Sequence, residues 1–442
     1  MRNRCVTLAW KAVVAIWFAT VAASAQTPRV LTLEEALRIA REQQPQIRQA
    51  RFLTEAAYAR ADQARSGLLP QVSATAGYQK TTANFIARPG AVPGTAATTN
   101  SGSRLSFFNF FNSSISANQL IWDFGQTSGR YKAAKMLGEA QENNERSVSL
   151  QIDNTLRAAF FLARANRELV VVAQEAADNF GNHLEQIQGF VEVGTRPEID
   201  LAQARADLAN ARSQLIDAQN NYLIAKAQLN QAMGVIGPTD YEVADESLAP
   251  VSGEESPLDA LSNEAMKGRP ELVALDEQIR AQLQTVSAIK GAYGPTLDAT
   301  AGATQGGTRI DDLGWNLSVG VTLTWQIYQG GFTTAQVHEA EATAGQLAAQ
   351  LDLLRQQVRF DVEQASLAVR AAKAVIEADR ETVVNARDRL RLAEGRYETG
   401  VGSAIELGDA QVALTTAEAQ TVQAENRLST ARAQLLRALG RQ

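Results

Sequence analysis

Four acidic residues follow two glycine-containing turns, and they are the residues in the sequence best placed to do chemistry. The turns are 193–197, with Gly194, and 399–403, with Gly400, and the acids after them are Glu198, Asp200, Glu406 and Asp409. Acidic side chains in the first turn of a helix stabilise the positive end of its dipole, by about 0.3–1 kcal/mol each. In an oligomer, carboxylates can instead form rings at the mouth of a pore and set its preference for cations. The spacing alone leaves both interpretations of Asp200, Glu406 and Asp409 open.

Side chains for catalysis or metal binding are scarce. Cys5 is the single cysteine, and His183 and His338 are the two histidines. These counts exclude a zinc site of Cys and His, a disulfide framework and a Cys–His nucleophile. Both histidines stand alone on helical segments, and we interpret them as surface residues. No G-x-x-x-x-G-K-[ST] phosphate loop is present, so we expect no enzyme, no cofactor and no bound metal, and a partner must supply any energy.

The segments that lead into the two turns predict very long helices. Neither 127–193 nor 333–399 contains a proline, so each can form an uninterrupted helix of 67 residues, or ~100 Å at about 1.5 Å per residue. From Leu201 and again from Leu407, apolar residues recur at alternating steps of three and four, with alanine at every second position. That pattern is typical of a left-handed coiled-coil seam. Helices of this length need neighbours side by side, because no globular core can bury them.

The chain consists of two related halves. The first residues of the first half align with the second half at an offset of 225, so that Pro45 matches Pro270. From residue 121 onward the offset is 206, so that Gly194 matches Gly400. The first half therefore contains 19 extra residues between Gly77 and Ile121. We predict in each half one helix, two strands, one very long helix, a turn and one more helix. The predicted divisions are a signal peptide at 1–25, a first repeat at 26–237, a linker at 238–257 and a second repeat at 258–442.

Segment 315–325 predicts a strand with a lipid-facing side. Apolar and polar residues alternate over its 11 residues, with Trp315 and Trp325 at the ends. A transmembrane strand needs about 9–11 such residues, with aromatic residues at both interfaces. Related strands are predicted at 296–304 and 71–78, and a less regular one at 115–122.

A soluble hairpin is the usual alternative for a single alternating strand, but the two tryptophans favour the membrane. Four strands cannot close a barrel, and open edges are not tolerated in lipid. Three protomers would supply twelve strands.

The N-terminus is typical of a secretory signal peptide. Three basic residues precede or begin an apolar segment, 12–23, and an A-x-A cleavage site follows at 23–25. The alternative, a membrane anchor, needs roughly 20 apolar residues. Cleavage would leave 39 Lys and Arg against 48 Asp and Glu. This acidic balance argues against nucleic acid as a partner.

Taken together, these motifs resemble the TolC family of trimeric outer-membrane efflux channels, over nearly all of the mature chain. The motifs are G-T-R-P-E-I-D-L at 194–201, Y-E-T-G-V at 397–401, L-L-P at 68–70 and I-Y-Q-G-G at 327–331. The resemblance implies a homotrimer in outer-membrane lipid and an α-helical tunnel through the periplasm. It also implies a periplasmic membrane-fusion adaptor and an inner-membrane pump of the RND or ABC type.

The same resemblance assigns roles to residues at the turns. Asp200, Tyr397, Glu406 and Asp409 fall on positions of a periplasmic gate. The adaptor-docking turns would consist of Gly194, Thr195, Arg196, Gly400, Val401 and Gly402. Two positions depart from the family pattern, because Gly402 stands where some members have an arginine that holds the gate shut, and Glu406 replaces an aspartate.

We therefore expect a mainly α protein with a small β part. Duplicated long antiparallel helices would form an α-helical tunnel, and four transmembrane strands per protomer would contribute to a trimeric 12-stranded β-barrel. The expected function is a passive channel-tunnel of a tripartite efflux or type I secretion system in the cell outer membrane of a Gram-negative bacterium, with Trp315 and Trp325 in its membrane aromatic belt. The alternative is a secreted periplasmic coiled-coil adaptor or structural protein without a pore.

Overall fold

A computed structural model describes residues 29–82 and 107–442. The predicted signal peptide, 1–25, lies outside the described residues, as does most of the segment that holds the 19 additional residues of the first half. The described helices and strands follow the order of the two repeats.

In each half two helices precede the strands of the four-stranded sheet, where the sequence pattern predicts one. These are α1 (Leu33–Gln43) and α2 (Pro45–Ser66) in the first half, and α5 (Leu258–Gly268) and α6 (Pro270–Lys290) in the second. The prediction of a single helix is wrong because Pro45 and Pro270 have no N–H to donate to the preceding turn. The residue before each proline is extended, with ψ values of 118° and 119°, as steric conflict with the proline ring requires.

Two very long helices dominate the molecule. Helices α3 (Gln126–Glu192) and α7 (Phe332–Glu398) have 67 residues each, and they begin and end one residue before the predicted limits. They are followed by the returning helices α4 (Glu198–Met233) and α8 (Ala404–Leu439), of 36 residues each. The predicted pair of long antiparallel helices per half is confirmed.

The predicted seam is the buried face of α8. Apolar side chains from Leu407 to Ala438 are buried at most of the seam positions, and those at the tip end pack on Ala386, Leu390 and Ala393 of α7. On α7 itself, valines and alanines from Val358 to Ala372 form a second buried stripe. Alanine permits this close approach, because it presents only a methyl group between neighbouring helices.

Four strands form one antiparallel sheet in the order β2 (Gln71–Thr82), β3 (Phe107–Trp122), β5 (Thr296–Arg309) and β6 (Asp312–Thr324). All four strands were predicted, and each is longer than the predicted segment. The pairing of β3 with β5 shifts register between Leu120 and Trp122. This irregularity accounts for the weak alternation of the sequence at 115–122.

The apolar face of β6 is exposed in the single chain. Trp315, Val319 and Val321 are all exposed, and Trp325 lies directly after the end of the strand. The indole N–H of Trp325 donates to the Tyr293 carbonyl at 3.1 Å. None of the described helices combines the length with the apolar composition that a membrane-spanning helix requires.

The predicted linker joins the two halves through specific contacts. It contains β4 (Tyr241–Val243), which pairs in parallel with β1 (Arg29–Leu31). Arg432 of α8 donates to the Leu248 carbonyl at 2.8 Å and pairs with Glu254 at 3.1 Å. The linker is therefore packed across α8 and is not a free connection.

Candidate functional site at the helical tip

The two long hairpins end in turns with the same backbone geometry. Gly194 and Gly400 have φ values of 72° and 78°, which glycine adopts without the steric cost of a Cβ atom. In the first turn the Thr195 N–H donates to the Phe190 carbonyl at 2.9 Å, and in the second the Val401 N–H donates to the Arg396 carbonyl at 3.0 Å. These bonds satisfy carbonyls at the helix ends and fix both turns.

Arg196 joins the first turn to the second. Its Nη2 donates to the Tyr397 carbonyl at 2.8 Å, and both terminal nitrogens lie 3.4 Å from the Gly402 carbonyl. The guanidinium carbon also lies 4.3 Å from the centroid of the Tyr397 ring, a cation–π geometry. Arg196 is one of the predicted docking residues, but its bridge to the other turn was not predicted, because no local pattern shows that residues 201 positions apart meet.

Gly402 lies against the end of α7. Its N–H donates to the Arg396 carbonyl at 2.8 Å, and a Cβ at this position would lie 3.0 Å from the Arg396 carbonyl carbon and the Tyr397 nitrogen. A side chain here would push the turn away from the helix. The glycine that departs from the family pattern thus matches the close packing of this turn.

Tyr397 is the buried centre of the tip, with 1% of its surface exposed. The His183 ring meets it edge-on, with centroids 5.3 Å apart, and the Phe190 ring lies 6.3 Å away. The pKa of Tyr397 is raised above its ordinary value, mainly because the side chain is buried. The Arg196 charge opposes this increase, and the Asp200 charge adds to it. Its hydroxyl has no hydrogen-bond partner within the described part of the chain.

The acidic residues of the tip have different surroundings. Glu406 pairs with Arg396, with 3.2 Å between Oε1 and Nε, and its backbone N–H donates to Ser403 Oγ at 3.1 Å. Since both charged groups are largely exposed, the pair contributes only about 0.2–1 kcal/mol. Asp200 lies near enough to Tyr397 to affect its pKa. Asp409 is exposed, so the structure brings Asp200 to Tyr397 and leaves Asp409 in solvent.

Apolar side chains project from the same tip. Val193, Ile199, Val401 and Ile405 are between 67% and 73% exposed. Val401 is one of the predicted docking residues, whereas Val193, Ile199 and Ile405 are not, although the repeat offset of 206 places Ile199 on Ile405. Exposed apolar residues that recur in both halves at turns are a signal for a contact surface.

A polar chamber of about 430 Å³ lies behind the turns, between α3, α7 and α8. Its polar lining includes Asn179, Asn182, His183, Gln186, Glu394, Tyr397, Glu398 and Gln411. The interpretation of His183 as a surface residue is wrong, because its Nε2 is buried and its ring packs on Tyr397. His338 is exposed on α7, as expected.

The membrane-belt candidates lie at the other end of the helices. Trp315 and Trp325 belong to the sheet region, and α7 begins next to this region at Phe332. The tip begins where α7 ends, about 100 Å away at ~1.5 Å per residue. The two groups of predicted site residues are thus separated by the full length of the molecule.

Comparison with known proteins places this architecture among outer-membrane channels. The family model described as "Outer membrane efflux protein" matches residues 36–235 and 261–441. The outer membrane efflux protein BepC of Brucella suis is 27% identical over 335 residues, which are 74% of this chain and 71% of BepC. The outer membrane protein TolC of Escherichia coli is 25% identical over 400 residues, 87% of this chain and 77% of TolC.

A solved structure has the same fold. The Campylobacter jejuni CmeC outer membrane channel superimposes with a TM-score of 0.78 at 18% identity, over 92% of this chain and 85% of that one.

Proposed function

The chain belongs to the outer membrane efflux protein family, and from this membership we propose that it is the outer-membrane duct of a tripartite efflux or type I secretion system. Its place is the outer membrane of Gram-negative bacteria, as for its relatives. In this proposal the chain is a passive conduit. An inner-membrane pump of the RND or ABC type supplies the energy and is coupled to the duct through a periplasmic adaptor.

The two helical hairpins are the observation that carries the proposal. Helices α3 and α7 each have 67 residues, which is ~100 Å at about 1.5 Å per residue. Both leave the sheet at one end and reach a joint tip at the other, where Arg196 links their turns. A sheet with an exposed apolar face at one end and a rod of this length at the other suits a duct that crosses two compartments.

Assembly into a homotrimer is part of the proposal. In the described sheet, β2 and β6 are the edge strands, each paired on one side. Three copies would bring twelve strands together and join these edges, which lipid does not tolerate when open. On α7, Leu353, Phe360 and Leu367 are exposed at intervals of seven residues, a spacing that suits a neighbouring helix.

The tip is the proposed contact with the adaptor. The docking surface consists of the two turns with Gly194, Thr195, Arg196, Gly400, Val401 and Gly402. Val193, Ile199 and Ile405 extend it with exposed apolar side chains. An adaptor that buried these side chains would gain about 25 cal/mol for each Å² of apolar surface removed from water.

The proposed periplasmic gate consists of Asp200, Tyr397, Glu406 and Asp409. Three copies of each carboxylate around the mouth would attract cations. Exchanging Asp200, Glu406 and Asp409 together for the corresponding amides should reduce cation selectivity, measured as the reversal potential in a salt gradient. Amide exchange at exposed acids elsewhere on α7, Asp352, Glu377 and Asp388, is the matched control. Unchanged selectivity in the tip variant would leave the three acids as helix-dipole partners only.

The proposed function itself is tested with purified protein in detergent and in planar bilayers. A detergent-stable trimer that conducts ions is the expected result. A monomer that does not conduct, together with soluble material in the periplasmic fraction, would contradict the duct and favour a coiled-coil adaptor without a pore.

A further inference from the structure

His183 occupies a position in the tip that the proposed gate leaves unexplained. It lies on α3, nine residues before the helix ends at Glu192, and its ring packs edge-on against Tyr397 of α7 at 5.3 Å. It also lines the polar chamber between α3, α7 and α8. A change in His183 would therefore act on the same buried tyrosine that Arg196 ties to the opposite turn.

The imidazole is held in a way that suits its neutral form. Within the described residues its Nε2 is buried without a hydrogen-bond partner, while Gln186 lies within hydrogen-bonding reach of the ring. A neutral ring carries one N–H, but an imidazolium carries two. Protonation would place a donor and a positive charge at a buried atom that has no acceptor, which is more costly than burying the neutral ring.

Charged groups surround this position on several sides. Asp207 of α4 is the carboxylate with a direct electrostatic effect on the histidine, and it favours the charged form. Glu394 and Glu398 of α7 line the chamber, and the Arg196 guanidinium lies 4.3 Å from the centroid of the Tyr397 ring on which the histidine packs.

The rest of the chamber lining carries no charge. It consists of Leu407, Gly408 and Gln411 of α8 and of Asn179, Phe180, Asn182 and Gln186 of α3. Glu394 and Glu398 are exposed and Asp207 is partly buried. Water and salt screen the attraction of the exposed glutamates, and the desolvation of the buried ring nitrogen outweighs the effect of Asp207.

We propose that His183 is a pH-sensitive latch of the tip, whose neutral ring keeps the turn region packed around Tyr397 and whose protonation loosens it. The proposal rests on the proposed function, because a loosened tip matters only if the tip closes a duct. The exposed carboxylates then favour the loosened state, in which the imidazolium reaches water and its acidic neighbours.

The direction of the pH effect follows from the burial. Desolvation lowers the pKa of His183 in the packed tip below its ordinary 6.5, against opposing effects of Gln186 and Asp207. In a loosened, hydrated tip the pKa returns toward that ordinary value. The packed state is therefore fully stabilised above the ordinary pKa and loses stability as the pH falls below it. Each unit of difference between the two pKa values can change the open-to-packed ratio by up to about tenfold per histidine.

The experiment compares three proteins in planar bilayers between about pH 7.5 and about pH 5.5, the range in which histidine titrates. The native protein should show increasing conductance or open probability as the pH falls. His183→Gln, which stays neutral, should lose this response. His338→Gln should keep it, because His338 is exposed and distant, and it is the one other histidine of the chain.

A second measurement does not depend on conduction. In the full-length protein with isotope-labelled histidine, NMR titration should give His183 a pKa below its ordinary 6.5, with His338→Gln providing the assignment. A His183 pKa at or above that ordinary value, or a pH response of conductance that survives His183→Gln, would overturn the latch. Absence of conduction at every pH would contradict the proposed duct, whereas the latch would still be judged by the NMR titration.

Discussion

The Arg196 guanidinium lies 4.3 Å from the centroid of the Tyr397 ring, and its Nη2 donates to the Tyr397 carbonyl at 2.8 Å. One side chain thus binds both the aromatic face and the backbone of a residue in the other repeat. Since the two turns belong to different hairpins, this pair fixes the distance between them.

Exchange of Arg196 for alanine should loosen the tip. Hydrogen bonds of a charged donor contribute about 1.5–3 kcal/mol, and the variant loses those to Tyr397 and Gly402. We expect a larger or more frequently open channel in planar bilayers. Arg196→Lys should give an intermediate result, because one ammonium cannot reproduce a planar fork of donors.

The control for this variant is Arg380→Ala, which removes an exposed pair with Glu377 on α7. If Arg196→Ala had the same conductance as the native protein, the bridge would not restrain the tip.

Two replacements of Tyr397 should distinguish the contribution of its ring to stability from the contribution of its hydroxyl. The hydroxyl is buried without a hydrogen-bond partner in the described chain. Tyr397→Phe should therefore leave the free energy of unfolding within about 0.5 kcal/mol of the native value, as is usual for substitutions that remove no stabilising contact. Tyr397→Ala should cost about 3–5 kcal/mol, as for other buried aromatic residues. Denaturant unfolding measures both. If the two variants were equally unstable, the hydroxyl would stabilise the tip and the packing argument for the ring would be wrong.

Gly402 should not tolerate a side chain. A Cβ would lie 3.0 Å from backbone atoms of Arg396 and Tyr397, so Gly402→Ala should destabilise the turn by about 1–3 kcal/mol, as overpacking does. Gly395→Ala is the matched control, because its Cβ meets no atom within 4 Å and alanine favours the helix by about 1 kcal/mol. Hydrogen exchange of the 396–403 amides reports the local effect. Equal protection in both variants would contradict the packing argument.

The two faces of β6 should respond differently to charge. Val319 lies on the apolar face with the tryptophans, and Ser318 on the polar face, where it donates to the Gly302 carbonyl at 3.4 Å. Val319→Lys should cost about 2–4 kcal/mol in a bilayer, as lysine does near the midplane on a lipid-facing side. Ser318→Lys should cost much less. Unfolding in lipid vesicles gives both values, and a reversed order would place lipid on the opposite face.

Local patterns are enough to predict most of the elements. The long helices lack proline and carry apolar residues at helical spacing, and α3 and α7 accordingly begin within one residue of the predicted limits. Strand β6 was predicted from strict alternation between Trp315 and Trp325. The breaks at Pro45 and Pro270 were also visible locally, but the repeat comparison merged the helices on either side of them.

The parallel pairing of Val30 with Glu242 was beyond local reasoning. The two residues are far apart in the sequence, and three-residue strands carry no usable periodicity.

The sequence by itself determined the duplicated plan, the lengths of the hairpins and the class of residue at the turns. These properties depend on backbone preferences and on periodic burial, which act between residues close together in the chain. Only the tertiary structure decided that Arg196 bridges to Tyr397, that His183 is partly buried against the same ring, and that Asp409 faces water. These relationships depend on how separate helices are rotated and aligned side by side, and side-chain packing sets that arrangement only when all the helices are in place.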